Sequence, residues 1–229
     1  MLVSHRYQFI FIKSRKTAGT SLEIALSMFM GPDDVITRIS RRDEETRRSL
    51  GGLGPQNRDI PWTKWRSREW KGLLRGRATV YNNHFPAERL RRILPKHQWN
   101  GYFKFTIDRN PWDLAVSAYY WRARHYEPRP TFQEYLRSSR VEKYSNWPLY
   151  TAKDRVIVDK VIRYEQLPSE VPALATRLGL PSVPELPRAK SGHRPEGLLH
   201  ELYGEWERER VAQIWRREIE AFAWEFPPS

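Results

Sequence analysis

An α/β protein with a central parallel β-sheet flanked by helices, a three-layer α/β/α arrangement, is the fold this sequence predicts. Three observations lead there. Short apolar runs rich in β-branched and aromatic residues, at 7–12, 102–107 and 156–163, alternate with stretches of helical spacing. The first run passes into its helix through a short loop, the opening unit of a doubly wound fold. The chain of 229 residues is 39% hydrophobic and 13% aromatic, with ten Trp, which is enough large apolar side chain for a real core.

The elements follow in order. Tyr7–Ile12 (YQFIFI) reads as a buried strand. Thr20–Met30 reads as a helix, with Leu22, Ala25, Leu26 and Phe29 on one face and Thr20 or Ser21 as its cap. Residues 38–77, rich in Arg, Gly and Trp, read as an irregular insertion holding a short helix or two, either an acceptor-binding lid or a solvated variable excursion. Ala78–Tyr81 predicts a second strand and Pro86–Leu94 a helix. Tyr102–Ile107 predicts a third strand, followed by a helix from Pro111, which suits a first helical position, to about Arg124. Thr131–Ser138 predicts a helix, Val156–Arg163 a fourth strand, and Pro168–Leu178 a helix ended by Gly179. A Pro-rich loop, Pro181–Pro195, precedes one last amphipathic helix from Leu198 to Phe222. The whole chain reads as one domain, 1–229.

A net charge of +13 and a pI near 10.1 point to an anionic partner: nucleic acid, an acidic membrane face, a phosphorylated cofactor or an acidic glycan. Much of the excess is Arg, which favours bidentate contacts to phosphate or sulfate oxygens. With no Cys, a disulfide framework, Cys-ligated zinc and thiol catalysis are excluded. No His/Asp/Glu cluster has ligand spacing, so no metal is expected. The apolar run Phe9–Ile12 is too short for a signal-peptide core, and no stretch approaches the roughly 18 apolar residues of a membrane span. A soluble, cytoplasmic protein without a transmembrane segment is the expectation.

Lys13-Ser14-Arg15-Lys16-Thr17-Ala18-Gly19-Thr20-Ser21 joins the first strand to its helix, where open α/β sheets bind ligands. The helix N-terminus presents N–H groups and a partial positive charge to an anion. Ala18 and Gly19 leave the backbone accessible, Thr17, Thr20 and Ser21 add hydroxyls, and Lys16 adds a charge. The Lys precedes the Thr-x-Gly-Thr-Ser turn, so the loop is not a Walker A motif, which needs Gly-Lys-[Ser/Thr]. Downstream, Arg109 closes a strand, and Ser117 lies two turns into the following helix. Both can point into the same crevice.

At Lys16–Glu23 (KTAGTSLE) the sequence resembles the 5′-phosphosulfate loop of the sulfotransferases that use 3′-phosphoadenosine 5′-phosphosulfate (PAPS). It is closest to the branch with the carbohydrate O-sulfotransferases, although Arg15 stands where that branch usually has Pro. Arg109 and Ser117, eight residues apart, resemble the family's 3′-phosphate element. Lys190-Ser191-Gly192-His193-Arg194 occupies the place of its late nucleotide-covering loop. The matched motifs span Lys16 to Arg194, with no counterpart for 38–77. The resemblance implies a P-loop-like sulfotransferase fold and PAPS as donor, with 3′-phosphoadenosine 5′-phosphate as product. It implies cofactor contacts from Arg15, Lys16, Thr17, Ala18, Gly19, Thr20, Ser21, Arg109, Ser117 and the 190–194 loop. The partner is then a hydroxyl-bearing acceptor, a glycan or small molecule, rather than nucleic acid.

Sulfuryl transfer asks mainly for positioning and charge neutralisation. Lys16 is the candidate for stabilising the leaving phosphate. The acceptor hydroxyl needs a base unprotonated near neutral pH, and His84, after the predicted second strand, resembles the family's base. Glu23, Asp108 and Glu127 are weaker base candidates, and Arg163 and Glu165 read as structural. A basic nucleic-acid-binding module and a P-loop-type nucleotide kinase are the competing readings. Dispersed charge weakens the first and the absent Gly-Lys-[Ser/Thr] order weakens the second.

Overall fold

A computed structural model describes residues 1–75, 78–187 and 199–228. Its strands are β1 (Leu2–Ser4), β2 (Phe9–Ile12), β3 (Val35–Ile36), β4 (Phe103–Asp108), β5 (Thr151–Ala152), β6 (Arg155–Val156) and β7 (Lys160–Arg163). Its helices are α1 (Gly19–Ser27), α2 (Arg41–Ser49), α3 (Ser67–Leu73), α4 (Ala87–Ile93), α5 (Lys96–Gly101) and α6 (Pro111–Ala123). They continue with α7 (Phe132–Arg137), α8 (Trp147–Tyr150), α9 (Leu167–Leu178), α10 (Glu205–Ile214) and α11 (Arg216–Phe222).

Five strands form one sheet in the order β3-β1-β2-β4-β7, and β5 and β6 form a separate ribbon. β2, β4 and β7 run parallel, with Phe11 opposite Phe105 and Ile107 opposite Ile162. The pleat sends alternate residues to opposite faces. Phe9 and Phe11 therefore join Phe105, Ile107 and Ile162 on one face, under Leu22 and Leu26 of α1 and Leu174 and Leu178 of α9. Ile10 and Ile12 join the other face with Ala87, Leu90 and Ile93 of α4 and Leu149 and Tyr150 of α8. A third cluster ties α6 to α7 and α10 through Leu114, Val116, Leu136, Val211 and Trp215. Helices thus cover both faces of the sheet.

Several sequence expectations need correction. The sheet is mixed, because the N-terminal residues add β1 antiparallel to β2 and to β3, and Leu2 and Val3 are fully buried. The first strand begins at Phe9, since Gln8 adopts φ 50° in the preceding turn. Ala78–Tyr81 does not enter the sheet. Its amide and carbonyl groups are taken by the insertion, with Ile60 N donating to Thr79 O and Tyr81 N to Arg58 O. The run 156–163 is interrupted: Asp159 bonds Lys104 through both its backbone N–H and its carboxylate, and the ladder starts only at Lys160. The last helix is two, parted at Trp215 (φ −107°, ψ 28°). Helix α1 stops at Ser27, and its N-cap is Ala18, with no side-chain cap from Thr20 or Ser21, which lie buried inside the first turn.

One buried charge cluster fastens the sheet to the insertion. Glu23 on α1 pairs with Lys13 at 2.8 Å, Arg47 of α2 at 3.1 Å and the Met1 amino group at 3.2 Å, all almost fully buried. Burial opposes the ionised carboxylate, but the charges around it, Lys13 first, outweigh it and hold its pKa down at about 2, while burial lowers the Met1 amino group to about 5. Glu23→Ala takes this anion from the buried Lys13 and leaves the buried Arg47 with Glu44, and should cost about 3–5 kcal/mol in urea denaturation. The stability difference between wild type and the variant should be constant above about pH 4.5 and shrink as pH falls towards 2, because a depressed carboxylate pKa contributes stability only above its unfolded value. A loss below about 1 kcal/mol would contradict this assignment.

Candidate functional site

The parallel strands β2, β4 and β7 all end at one edge of the sheet, so the segments leaving them meet there. These are the loop after β2, Arg109-Asn110 after β4 and Tyr164-Glu165 after β7. A cleft of about 1100 Å³ opens at this edge, lined by Lys13–Ser21 and by Asn83, His84, Arg109, Ser117, Tyr164 and Glu165. Its lining holds seven cations (Lys13, Arg15, Lys16, Arg109, Arg122, Arg140, Lys143) and two carboxylates, Asp43 and Glu165, with Lys13 paired to Glu23 and Arg109 to Asp113. Such an excess of one sign focuses a positive potential into the cleft.

The loop's backbone is unusual. Lys16 (φ 59°) and Ala18 (φ 55°) both occupy the left-handed region without being glycine. Each such residue costs of order 1–3 kcal/mol and persists only when its surroundings over-determine it. Left-handed residues in a tight loop turn successive amides inward, the geometry of anion-binding concavities. Gly19 is needed here for closeness: a Cβ would lie 3.0 Å from Lys13 Cγ.

Three contacts hold the loop. Ser14 Oγ lies 2.7 Å from Thr17 Oγ1 and donates to the carbonyl of Ile107 in β4. The Arg109 guanidinium donates to the Lys16 carbonyl at 3.0 Å, is paired with Asp113 and lies 4.2 Å from the centre of the Tyr164 ring. The fully buried Asn146 clamps Arg15 by both backbone groups, accepting from its N–H at 2.8 Å and donating to its carbonyl at 3.2 Å. The same Asn146 amide donates to Asp108 at 3.1 Å, and Tyr150 OH donates to the other Asp108 oxygen. Burial raises the Asp108 carboxyl to about 7 despite these donors.

His84 is half-buried beside the loop, and its Nδ1 lies 3.0 Å from the Lys13 carbonyl. A carbonyl only accepts, so Nδ1 carries the hydrogen and Nε2 keeps its lone pair. Burial lowers this imidazole to about 4, with Lys13 and Arg15 adding to the effect against the raising influence of the carbonyl bond. The ring is neutral at pH 7. Lys16 Nζ stands 4.5 Å from the centre of the Trp121 ring on α6, a cation–π distance that draws it across the cleft.

Most of the expected site residues come together. Arg15 to Ser21, His84, Arg109 and Ser117 all line this cleft. Lys190, Ser191, Gly192, His193 and Arg194 lie outside the described residues. Of the weaker base candidates, Glu23 is locked in the buried ion cluster, Asp108 sits behind the loop bonded to Asn146 and Tyr150, and Glu127 does not line the cleft. Arg163 donates to the Phe222 carbonyl, in a structural role. Glu165 accepts from Asn110 N at 3.0 Å and also faces the cleft. Sequence reasoning missed Asn146 and the wall of Trp121, Arg122, Arg140, Lys143 and Tyr144. The basic, aromatic run between 119 and 144 was its only visible trace.

Among the described residues, no group of His, Asp and Glu could hold a metal ion, and no helix is long and apolar enough to cross a membrane. Fold and cleft together define an α/β protein with a basic cleft at the carboxyl edge of its sheet. No family model matches the chain. An uncharacterized protein of Archaeoglobus fulgidus is 33% identical over 100 residues, covering 42% of this chain and 83% of the relative. The chain belongs to the same family as that archaeal protein.

Asn146→Ala removes both bonds to the Arg15 backbone and the donor to Asp108. Buried groups left unpaired cost about 1–3 kcal/mol each, so the variant should unfold several degrees lower. It should also weaken binding of inorganic pyrophosphate, a probe of the loop, relative to wild type in a calorimetric titration. Unchanged pyrophosphate affinity would show that the clamp does not shape the loop.

Proposed function

We propose that the protein is a sulfotransferase of P-loop-like architecture, which takes PAPS as donor and a hydroxyl-bearing acceptor, a carbohydrate or small molecule. One observation carries the reading. The loop Lys16–Ser21, His84, and Arg109 with Ser117, drawn from three separate stretches of sequence, line the same cleft.

The donor set suits a nucleotide with two separated phosphate groups. The left-handed loop and α1 N-terminus would take the phosphosulfate end. Arg109 and Ser117, on the next parallel unit, would take the 3′-phosphate. When bound, the donor supplies a sulfuryl group whose bond to the 5′-phosphate oxygen breaks, with its electron pair, as the acceptor oxygen forms its own bond to sulfur.

The chain's residues do the rest. His84 Nε2 takes the acceptor's hydroxyl proton, and the Lys13 carbonyl holds the ring in that tautomer. Lys16 neutralises charge on the departing phosphate oxygen, an interaction stronger in the transition state than before it. Arg109 has a second task, since its bond to the Lys16 carbonyl fixes the backbone that carries this lysine.

3′-Phosphoadenosine 5′-phosphate at about 100 times its dissociation constant should stabilise the protein by roughly 2.7 kcal/mol in thermal unfolding. ATP should give a smaller shift, and stabilisation by ATP alone would replace this reading with a kinase.

In transfer of labelled sulfate, His84→Ala should lower turnover by about 10²–10⁴-fold and Lys16→Ala by about 10²–10³-fold, with the fold intact by circular dichroism. The acid limb of kcat/KM in wild type should fall near pH 4, well below an ordinary histidine, and vanish in the His84 variant. Full activity in either variant removes that residue from the mechanism.

A further inference from the structure

A second hollow, of about 500 Å³, lies on the other side of His84. It is lined by Arg15, Arg38, Arg58, Val80, Tyr81, Asn82, Asn83 and His84. Arg15, Asn83 and His84 line the main cleft as well, so the two spaces adjoin at these three residues. The hollow has three arginines in its lining and no carboxylate. Among the described residues, neither Arg38 nor Arg58 has an ion-pair partner.

The fold places these arginines deliberately close. Arg38 lies two residues past the end of β3. The segment 56–60 is stitched on both sides: Gln56 exchanges backbone bonds with Ile36, while Arg58 O accepts from Tyr81 N and Ile60 N donates to Thr79 O. Asn57 adopts φ 50° and donates from its side chain to the carbonyls of Pro32 and Asp34. This pins the turn that delivers Arg58 to the Tyr81–His84 strip. Arg15 enters from the opposite side, its backbone clamped by Asn146 and its guanidinium donating to Ser145 O at 3.4 Å. Burial holds that guanidinium below its ordinary pKa, the signature of a cation partly stripped of water. Three like charges around one hollow repel one another, and an anion among them relieves the repulsion. The guanidinium fork matches carboxylate and sulfate oxygens in particular.

We propose that this hollow seats the acceptor and that the acceptor is itself an anion, a hydroxylated molecule bearing a carboxylate or sulfate group gripped by Arg38 and Arg58. The inference rests on the sulfotransferase reading for the word acceptor, but the anion preference of the hollow does not depend on it. The insertion 38–77 then has a binding role: two of the three arginines belong to it, and they select for charge in the hollow beside His84.

The test uses the full chain and two probes of equal length, a carboxymethyl-dextran oligosaccharide and unmodified dextran. Binding is measured by calorimetry at about 0.15 M salt, without donor. Wild type should bind the carboxymethylated probe and not the neutral one. Arg38→Ala with Arg58→Ala should weaken that binding by about 10-fold or more. Arg91→Ala with Arg92→Ala, which removes the same charge from α4, should change it less than about twofold. Equal loss in both double variants would reduce the effect to the overall charge of +13 and overturn the proposal, as would binding of both dextrans alike. An oligonucleotide of equal charge that competes through the same two arginines and binds more tightly would also overturn it, in favour of a nucleic-acid partner. Affinity for 3′-phosphoadenosine 5′-phosphate, measured in parallel, separates the two readings. If that nucleotide fails to bind wild type while the carboxymethylated probe binds through Arg38 and Arg58, the donor assignment falls and the anion hollow stands.

Discussion

The loop that leaves β2 has to hold two non-glycine residues, Lys16 and Ala18, in the left-handed region, and everything else at the site depends on how that conformation is kept. A conformation that costs the chain a few kcal/mol needs external bonds to outweigh it. They come from three directions: β4 through Ile107, the residue after β4 through Arg109, and the turn before α8 through Asn146. The two parallel crossovers that bring β4 and then the 146 region beside β2 are therefore part of the site. The fold does not merely carry the loop; it supplies the bonds that bend it.

Electrostatics divides the region into a paired layer and a charged surface. Beneath the loop, Lys13 and Arg47 are neutralised by Glu23, so these buried cations contribute to cohesion. Above it, Arg15, Lys16, Arg109, Arg122, Arg140 and Lys143 line the cleft together with Asp43 and Glu165, and Arg109 is paired with Asp113. His84 sits between these layers and is kept neutral by burial and by the surrounding positive charge. A neutral imidazole in a strongly cationic wall is able to accept a proton from a hydroxyl without competing with the cations for an anion. That pairing of roles is what the proposed sulfuryl transfer uses.

Local signals in the sequence survived best. The β2-loop-α1 unit, the end of β4 at Arg109 with Pro111 opening α6, and Gly179 closing α9 in the left-handed region (φ 64°) could be read because each is set by neighbours in the chain. What depended on distant partners could not be read. Leu2–Ser4 is only three residues long, and it becomes a strand because β2 and β3 flank it. Ala78–Tyr81 has strand composition, yet the insertion captures its backbone. Asn146 carries no motif at all; its role comes from lying 131 residues away from Arg15 in sequence and 2.8 Å away in space. The strand-to-helix junctions located the loop and Arg109, while the hollow bounded by Arg38 and Arg58 came from packing of the segment 38–77.

The central claim is that one anion pocket is built jointly by the β2-α1 loop and the β4-α6 unit. Amide hydrogen exchange with and without 3′-phosphoadenosine 5′-phosphate tests it most directly. The account predicts slowed exchange in the stretch 14–22 and, in the same titration, in 109–118, with a shared concentration dependence. Protection of only one of the two stretches, or of neither, would contradict it.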